Sequence, residues 1–139
     1  MIVLSNINPV TLQPGQSMPF DQVIFQSRNG AEFHRIGTGS VGLCASGGVY
    51  GLKFSGNIAV PTGETVGPIQ LQLAASADVL PETVMISTPA AVEQFNNVST
   101  QTLFRNGCCC GKDTITVVNS GTTPLTIGAG SSFVVGRRA

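Results

Sequence analysis

The sequence predicts an all-β fold, a sandwich or barrel of about eight to ten antiparallel strands. Helical signals are nearly absent: no long stretch rich in Ala, Glu, Lys and Leu keeps a 3.6-residue period. Short β-prone runs instead follow one another, with turn signals about every 8–14 residues. The 17 Gly and 8 Pro among 139 residues supply most of that punctuation.

In chain order the early runs are "SMPFDQVIFQS", "AEFHRIG" and "SVGLCAS". The clearest run follows, "GGVYGLKFSGNIAV". One side of it carries Tyr50, Leu52, Phe54, Gly56, Ile58 and Val60; the other carries Gly51, Lys53, Ser55, Asn57 and Ala59. That is period two, the pattern of a strand with one buried face. "PIQLQLAAS" sets Ile69, Leu71 and Leu73 against Gln70 and Gln72. "VLPETVMIST" places Val84 and Ile86 on its apolar side and stops at Pro89. "FNNVSTQTLF" alternates Val98, Thr100, Thr102 and Phe104 with Asn97, Ser99 and Gln101. The last run, "DTITVVNSGTTPLTIGAGSSFVVG", reads as a hairpin turning at Asn119-Ser120-Gly121. No boundary, internal repeat or low-complexity segment divides the chain, so a single domain is expected.

Composition narrows the function. Hydrophobic residues make up 42% and charged residues 10%, too apolar a mixture for disorder. Seven basic residues balance seven acidic ones. No basic stripe exists to neutralise phosphates, which excludes nucleic acid as the expected partner. No segment approaches the roughly 20 apolar residues that span a bilayer as a helix, so no membrane partner is expected. "MIVLSNINPVTLQPGQ" has a short apolar run without a basic region before it, unlike a signal peptide. Folding in the cytosol is therefore expected, where cysteines stay reduced. A near-neutral surface also favours association. The amides and hydroxyls of Gln70, Gln72, Ser55, Asn57, Asn97, Ser99 and Gln101 suit a buried but wet contact.

Motifs that promise chemistry are weak. "GCCCGKD" lacks the spacing and the hydroxyl of a phosphate loop, and a strand follows it. Adjacent cysteines on a strand point to opposite faces, so Cys109 cannot join Cys108 and Cys110 at one zinc ion; those two could share an ion between copies, with His34 and Cys44 as the available soft partners, which stays a minor alternative. A bridge from Cys44 to Cys108 or Cys110 is an alternative; a bridge between neighbours is strained. The favoured expectation is that the cysteines act as small, soft apolar residues on a packed strand, with Gly111-Lys112-Asp113 as a turn or bulge. His34 is the single histidine, and no nucleophile elbow accompanies it. Glu64, Glu82 and Glu93 show no pairing suited to glycoside chemistry. No enzyme activity, cofactor or metal is expected.

Together, "LQPGQSMPFDQVIF", "GSVGLCASGGVYGLKFSGNIAV", "IQLQL", "VLPETVM", "FNNVSTQTLF", the cysteines before "TITVVNSG", and "FVVGRR" resemble a known order of landmarks. It is that of the compact trimeric jelly rolls of the tumour necrosis factor and complement-head superfamily, in particular the small versions encoded by bacteriophages. The resemblance runs from about Leu12 to Arg138. It implies a jelly-roll sandwich, three copies around a threefold axis, and a place in a virion as a capsid decoration, head fibre or fibre tip. The chain is then an N-terminal arm over residues 1–14 followed by a jelly-roll domain over residues 15–139. The arm, with Met1, Ile2, Val3 and Leu4, is expected to dock on the major capsid protein or another virion protein by strand addition. The contact between copies is expected to draw on Tyr50, Phe54, Gln70, Gln72, Phe104 and Phe133. A capsid decoration protein is the first reading. A binding tip for a host surface glycan, or a bacterial surface jelly roll, is the alternative.

Overall fold

The structure is a computed structural model that describes residues 1–28, 31–34, 39–110 and 113–139. Its strands are β1 (Ile2–Ser5), β2 (Val10–Leu12), β3 (Gln22–Gln26), β4 (Glu32–His34), β5 (Ser40–Leu43), β6 (Val49–Ala59) and β7 (Ile69–Ala75). They continue with β8 (Asp78–Val79), β9 (Met85–Ser87), β10 (Asn96–Arg105), β11 (Thr114–Asn119), β12 (Leu125–Ile127) and β13 (Ser132–Arg137). One 3-10 turn, Pro81–Thr83, interrupts them. The number exceeds the expected eight to ten because five strands have only two or three residues. Segments that short show no alternation in a sequence.

Two antiparallel sheets face each other. In the first, β10 pairs with β6, which pairs on its other side with β13 and, further along, with β12; β1 lies between β13 and β3, and β2 flanks β12. In the second, the order is β4-β5-β11-β7, with β8 and β9 both against the far edge of β7. The chain crosses between sheets at β3–β4, β5–β6, β6–β7, β9–β10, β10–β11 and β11–β12. That repeated crossing makes the sandwich a jelly roll.

The period-two faces explain the core. Tyr50, Leu52, Phe54 and Ile58 of β6 meet Ile69, Leu71 and Leu73 of β7 and Ile115 and Val117 of β11 in one buried cluster. Phe133 stacks on Phe20, with centroids 5.4 Å apart, and meets Phe54 edge-on at 6.5 Å. Such ring pairs add to the burial of their area.

Three expectations are corrected. The proposed N-terminal arm is no arm: Ile2 and Leu4 are fully buried, and β1 is paired on both sides. Alternation in "MIVLS" sends Ile2 and Leu4 into the core, so neither is available for docking, and residues 1–14 belong to the domain. The run from Asp113 is not a hairpin; β11 lies in the second sheet and β12 in the first. In "VLPETVMIST" the phase is reversed: Met85 is buried while Val84 and Ile86 are exposed. Met85 pairs with the buried Leu71 of β7 and takes the inward phase, so its neighbours face outward.

Buried polar side chains hold the loops, Asn106 and Asn119 at crossings between sheets and Asn6 between loops of the first sheet. Asn6 donates to the carbonyls of Asn8 and Gly128 and accepts from the Ser131 N–H. Asn119 donates to the carbonyls of Leu12 and Thr123 and accepts from the Gly121 N–H. Asn106 donates toward the carbonyls of Leu43, Ala45 and Cys108. Each offers a loop the hydrogen bonds that no strand supplies there.

Candidate interaction face

The outer side of the first sheet is built by strand register. One row runs Gln101, Lys53, Val134, Val3, Phe25 across β10, β6, β13, β1 and β3. The next begins Leu103, Gly51, Gly136 and reaches the Met1 side chain. On the other side of the first row, Ser99, Ser55 and Ser132 stand in line, followed by Asn97 and Asn57, hydrogen-bonded at 3.2 Å. A β-bulge between Val3 and Leu4 leaves Ile24 unpaired opposite β1, a common device at sheet edges. The face thus has an apolar half and a hydroxyl-amide half.

Leu103 is 65% exposed, Ile24 57% and Phe25 52%. Leu103 stands on β10, at the edge of the sheet opposite Ile24 and Phe25; β10 is ten residues long and pairs only with β6 among the described residues. No strand pairs with its far side among the described residues, although Asn96 and Thr102 donate to Ser87 and Glu82 of the neighbouring β9 and 3-10 turn, and its single charge is Arg105. Proteins usually blunt such an edge with charge, proline or a cover.

The residues expected at a contact between copies do not form one surface. Tyr50, Phe54 and Phe133 are fully buried inside the protomer, because they lie on the inward phase of β6 and β13. The Tyr50 hydroxyl donates to the Ala31 carbonyl and accepts from the Ala45 N–H. Phe104 is partly buried against the same core. Gln70 and Gln72 lie on the second sheet, where Gln70 donates to Gln72 and Ser120, and Gln72 donates to the Leu80 carbonyl. Sequence reasoning missed Leu103, although a leucine in the polar phase of "STQTLF" was the available signal.

The cysteines also differ from expectation. Cys108, Cys109 and Cys110 lie in the crossing from β10 to β11, not on a strand, and Cys109 and Cys110 are exposed. Cys44 is bonded to Cys110, and Cys108 to Cys109. They are covalent links in a loop and not core filling. Of the expected turn at Gly111-Lys112-Asp113, the first two residues lie outside the described ones.

His34 Nδ1 lies 2.9 Å from the Ser40 carbonyl and Nε2 3.4 Å from that of Phe20. Its ring therefore ties strands to a loop. Glu82 accepts from the Thr102 hydroxyl, and Glu93 from the N–H and hydroxyl of Thr62. Met1 and Ser27 both approach Glu32, whose carboxylate is buried on β4. A buried acid here had no sequence signal.

Comparison with known proteins gives the fold a context. No family model matches the chain, and no curated protein matches it. Among solved structures, it is similar to the globular domain of zebrafish complement 1qA protein, at 14% identity and a TM-score of 0.63, covering 96% of this chain and 94% of that one. It is also similar to murine APRIL, at 14% identity and a TM-score of 0.56, covering 93% and 97%. The chain has a jelly roll of the tumour necrosis factor and complement-head type.

Proposed function

We propose that the chain is a non-enzymatic structural protein of a bacteriophage particle, a homotrimeric jelly roll that decorates the capsid. The observation that carries the self-association is the face just described. The strand-free edge of β10 carries one charge, Arg105, and the outer side of its sheet exposes Leu103 and, toward the opposite edge, Phe25, so the face is too poorly charged to resist association. A closed ring of copies covers every such edge, whereas a single copy leaves it open. The resemblance in strand order supports three copies and a virion location. Docking on the major capsid protein then falls to exposed loops, because β1 is committed to the sheet.

Mass spectrometry of purified particles, together with cosedimentation of the purified protein with capsids, tests this reading. The chain is expected in particles at a fixed ratio to capsid protein, and added trimer is expected to sediment with stripped capsids. A trimer that never sediments with capsids would refute decoration.

The alternative, a glycan- or receptor-binding tip, has one observation in its favour. Phe25, Phe33 and Phe95 expose their rings, and sugars stack on such faces. Binding on a glycan array that is lost in Phe33→Ala would promote it.

A further inference from the structure

All four cysteines of the chain meet at one place. Cys44 follows β5 in the crossing to β6, and Cys108, Cys109 and Cys110 stand in the crossing from β10 to β11. Hydrogen bonds that need no disulfide hold the two crossings together. The Asn106 amide donates to the carbonyls of Leu43 and Ala45, on either side of Cys44, and to that of Cys108. The Gly47 N–H donates to the Asn106 carbonyl, the Asn106 N–H to that of Gly48, and the Leu43 N–H to that of Asp113. These bonds survive reduction of the sulfurs and keep the thiols near one another. Both crossings run between the sheets, so the cluster does not belong to the outer side of the first sheet.

The two links differ in kind. Cys44–Cys110 joins residues 66 apart in sequence, so it restrains the unfolded chain, and the fold resists its reduction to the same extent. Cys108–Cys109 joins neighbours. Its small ring contains a planar peptide bond and closes no loop, so the fold does little to protect it. Cys109 is exposed, whereas Cys44 is half-buried. Strained or exposed disulfides are the labile and catalytic ones.

We propose that Cys108 and Cys109 form a redox-active pair that carries oxidation from dissolved disulfides to the structural Cys44–Cys110 link. The Cys109 thiolate attacks oxidised glutathione, and one glutathione thiolate leaves. The Cys108 thiolate then attacks Cys109 Sγ, expelling the second glutathione and forming Cys108–Cys109. Next the Cys110 thiolate attacks Cys109 Sγ and releases the Cys108 thiolate. The Cys44 thiolate attacks Cys110 Sγ, releases the Cys109 thiolate and completes Cys44–Cys110. A second oxidised glutathione re-forms the neighbour pair. Each step breaks one S–S bond and makes one, and the four thiol protons end on four glutathione thiols. Tethered thiols react at effective concentrations that no dissolved thiol reaches. The pair therefore sets the rate of locking and leaves the stability of the locked fold unchanged. With excess reduced glutathione the same steps run backward, so a reducing compartment opens the link and an oxidising one closes it.

Timed oxidation of the fully reduced chain with oxidised glutathione tests the relay. Samples are acid-quenched, alkylated, digested with trypsin and weighed. Arg105 and Lys112 bracket a peptide that holds Cys108, Cys109 and Cys110. An internal bridge removes two hydrogens from it, whereas Cys44–Cys110 joins it to another peptide. The internal bridge is expected first and Cys44–Cys110 second. A Cys108→Ser, Cys109→Ser double variant is expected to make Cys44–Cys110 at least tenfold more slowly, yet to the same final extent. Cys44→Ser is expected to form the internal bridge at the parent's rate, which separates the reactivity of the pair from the lock. Circular dichroism checks that each variant folds. Equal rates in parent and double variant, Cys44–Cys110 appearing first, or an internal bridge that is absent or slowed in Cys44→Ser overturns the relay.

Discussion

Thr83 shows how much one side chain does where the sheet is discontinuous. Strands β8 and β9 leave a gap opposite Leu73 along the edge of β7. The Thr83 hydroxyl fills it, accepting from the Leu73 N–H at 3.0 Å and donating to the Leu80 carbonyl at 2.7 Å. Thr83→Val keeps the shape and leaves buried groups unpaired, which costs about 1–3 kcal/mol. Urea unfolding should show that loss, and a variant as stable as the parent would contradict the role. Neither Thr83 nor the three buried asparagines could be read from the sequence, since "PET" and "NSG" look like ordinary exposed turns. Apolar residues on long strands were readable: Tyr50, Leu52, Phe54 and Ile58 are buried as their spacing predicts.

At the level of elements, alternation revealed β6, β7 and β10, but could not reveal pairing partners. The short "MIVLS" looked like a detachable arm, because four residues cannot show which neighbours they will find. As β1 it sits inside the first sheet, so deleting residues 1–8 should remove an internal strand and abolish the cooperative unfolding transition by circular dichroism. A stable, folded truncated chain would restore the arm. A second element is the aromatic-glycine pair of β4 and β5. Phe33 lies across Gly42, where an added Cβ would meet the ring at 2.2 Å. Gly42 is thus an aromatic seat in the second sheet. The crossing from β10 to β11 is held covalently. Cys44 and Cys110 are separated by 66 residues, and closing a loop of that length stabilises by about 4 kcal/mol in the chain-entropy model. Cys108–Cys109 closes no loop. Under oxidising conditions Cys44→Ser should therefore lose most of that amount in urea unfolding, while Cys109→Ser should stay within about 0.5 kcal/mol of the parent. Equal effects would show that the links act otherwise.

For the whole molecule, the all-β sandwich or barrel followed from strand runs and turn spacing, and the jelly roll from the resemblance in strand order, whereas the interaction face followed from neither. Which polar phases share a face depends on sheet membership: Ser55, Asn57, Asn97 and Ser99 come together, while Gln70 and Gln72 go to the other sheet. An apolar residue in a polar phase, Leu103, marks the face instead. If copies meet there, Leu103→Lys places a charge in each contact and should shift association at least tenfold toward monomer, measured by sedimentation equilibrium, without unfolding the protomer. An unchanged equilibrium would move the contact elsewhere. The central claim is that this open-edged sheet is closed by two further copies, and native molar mass by size-exclusion chromatography with light scattering tests it most directly. A mass three times the 14.3 kDa chain is the predicted result. A monomer at every accessible concentration would contradict it.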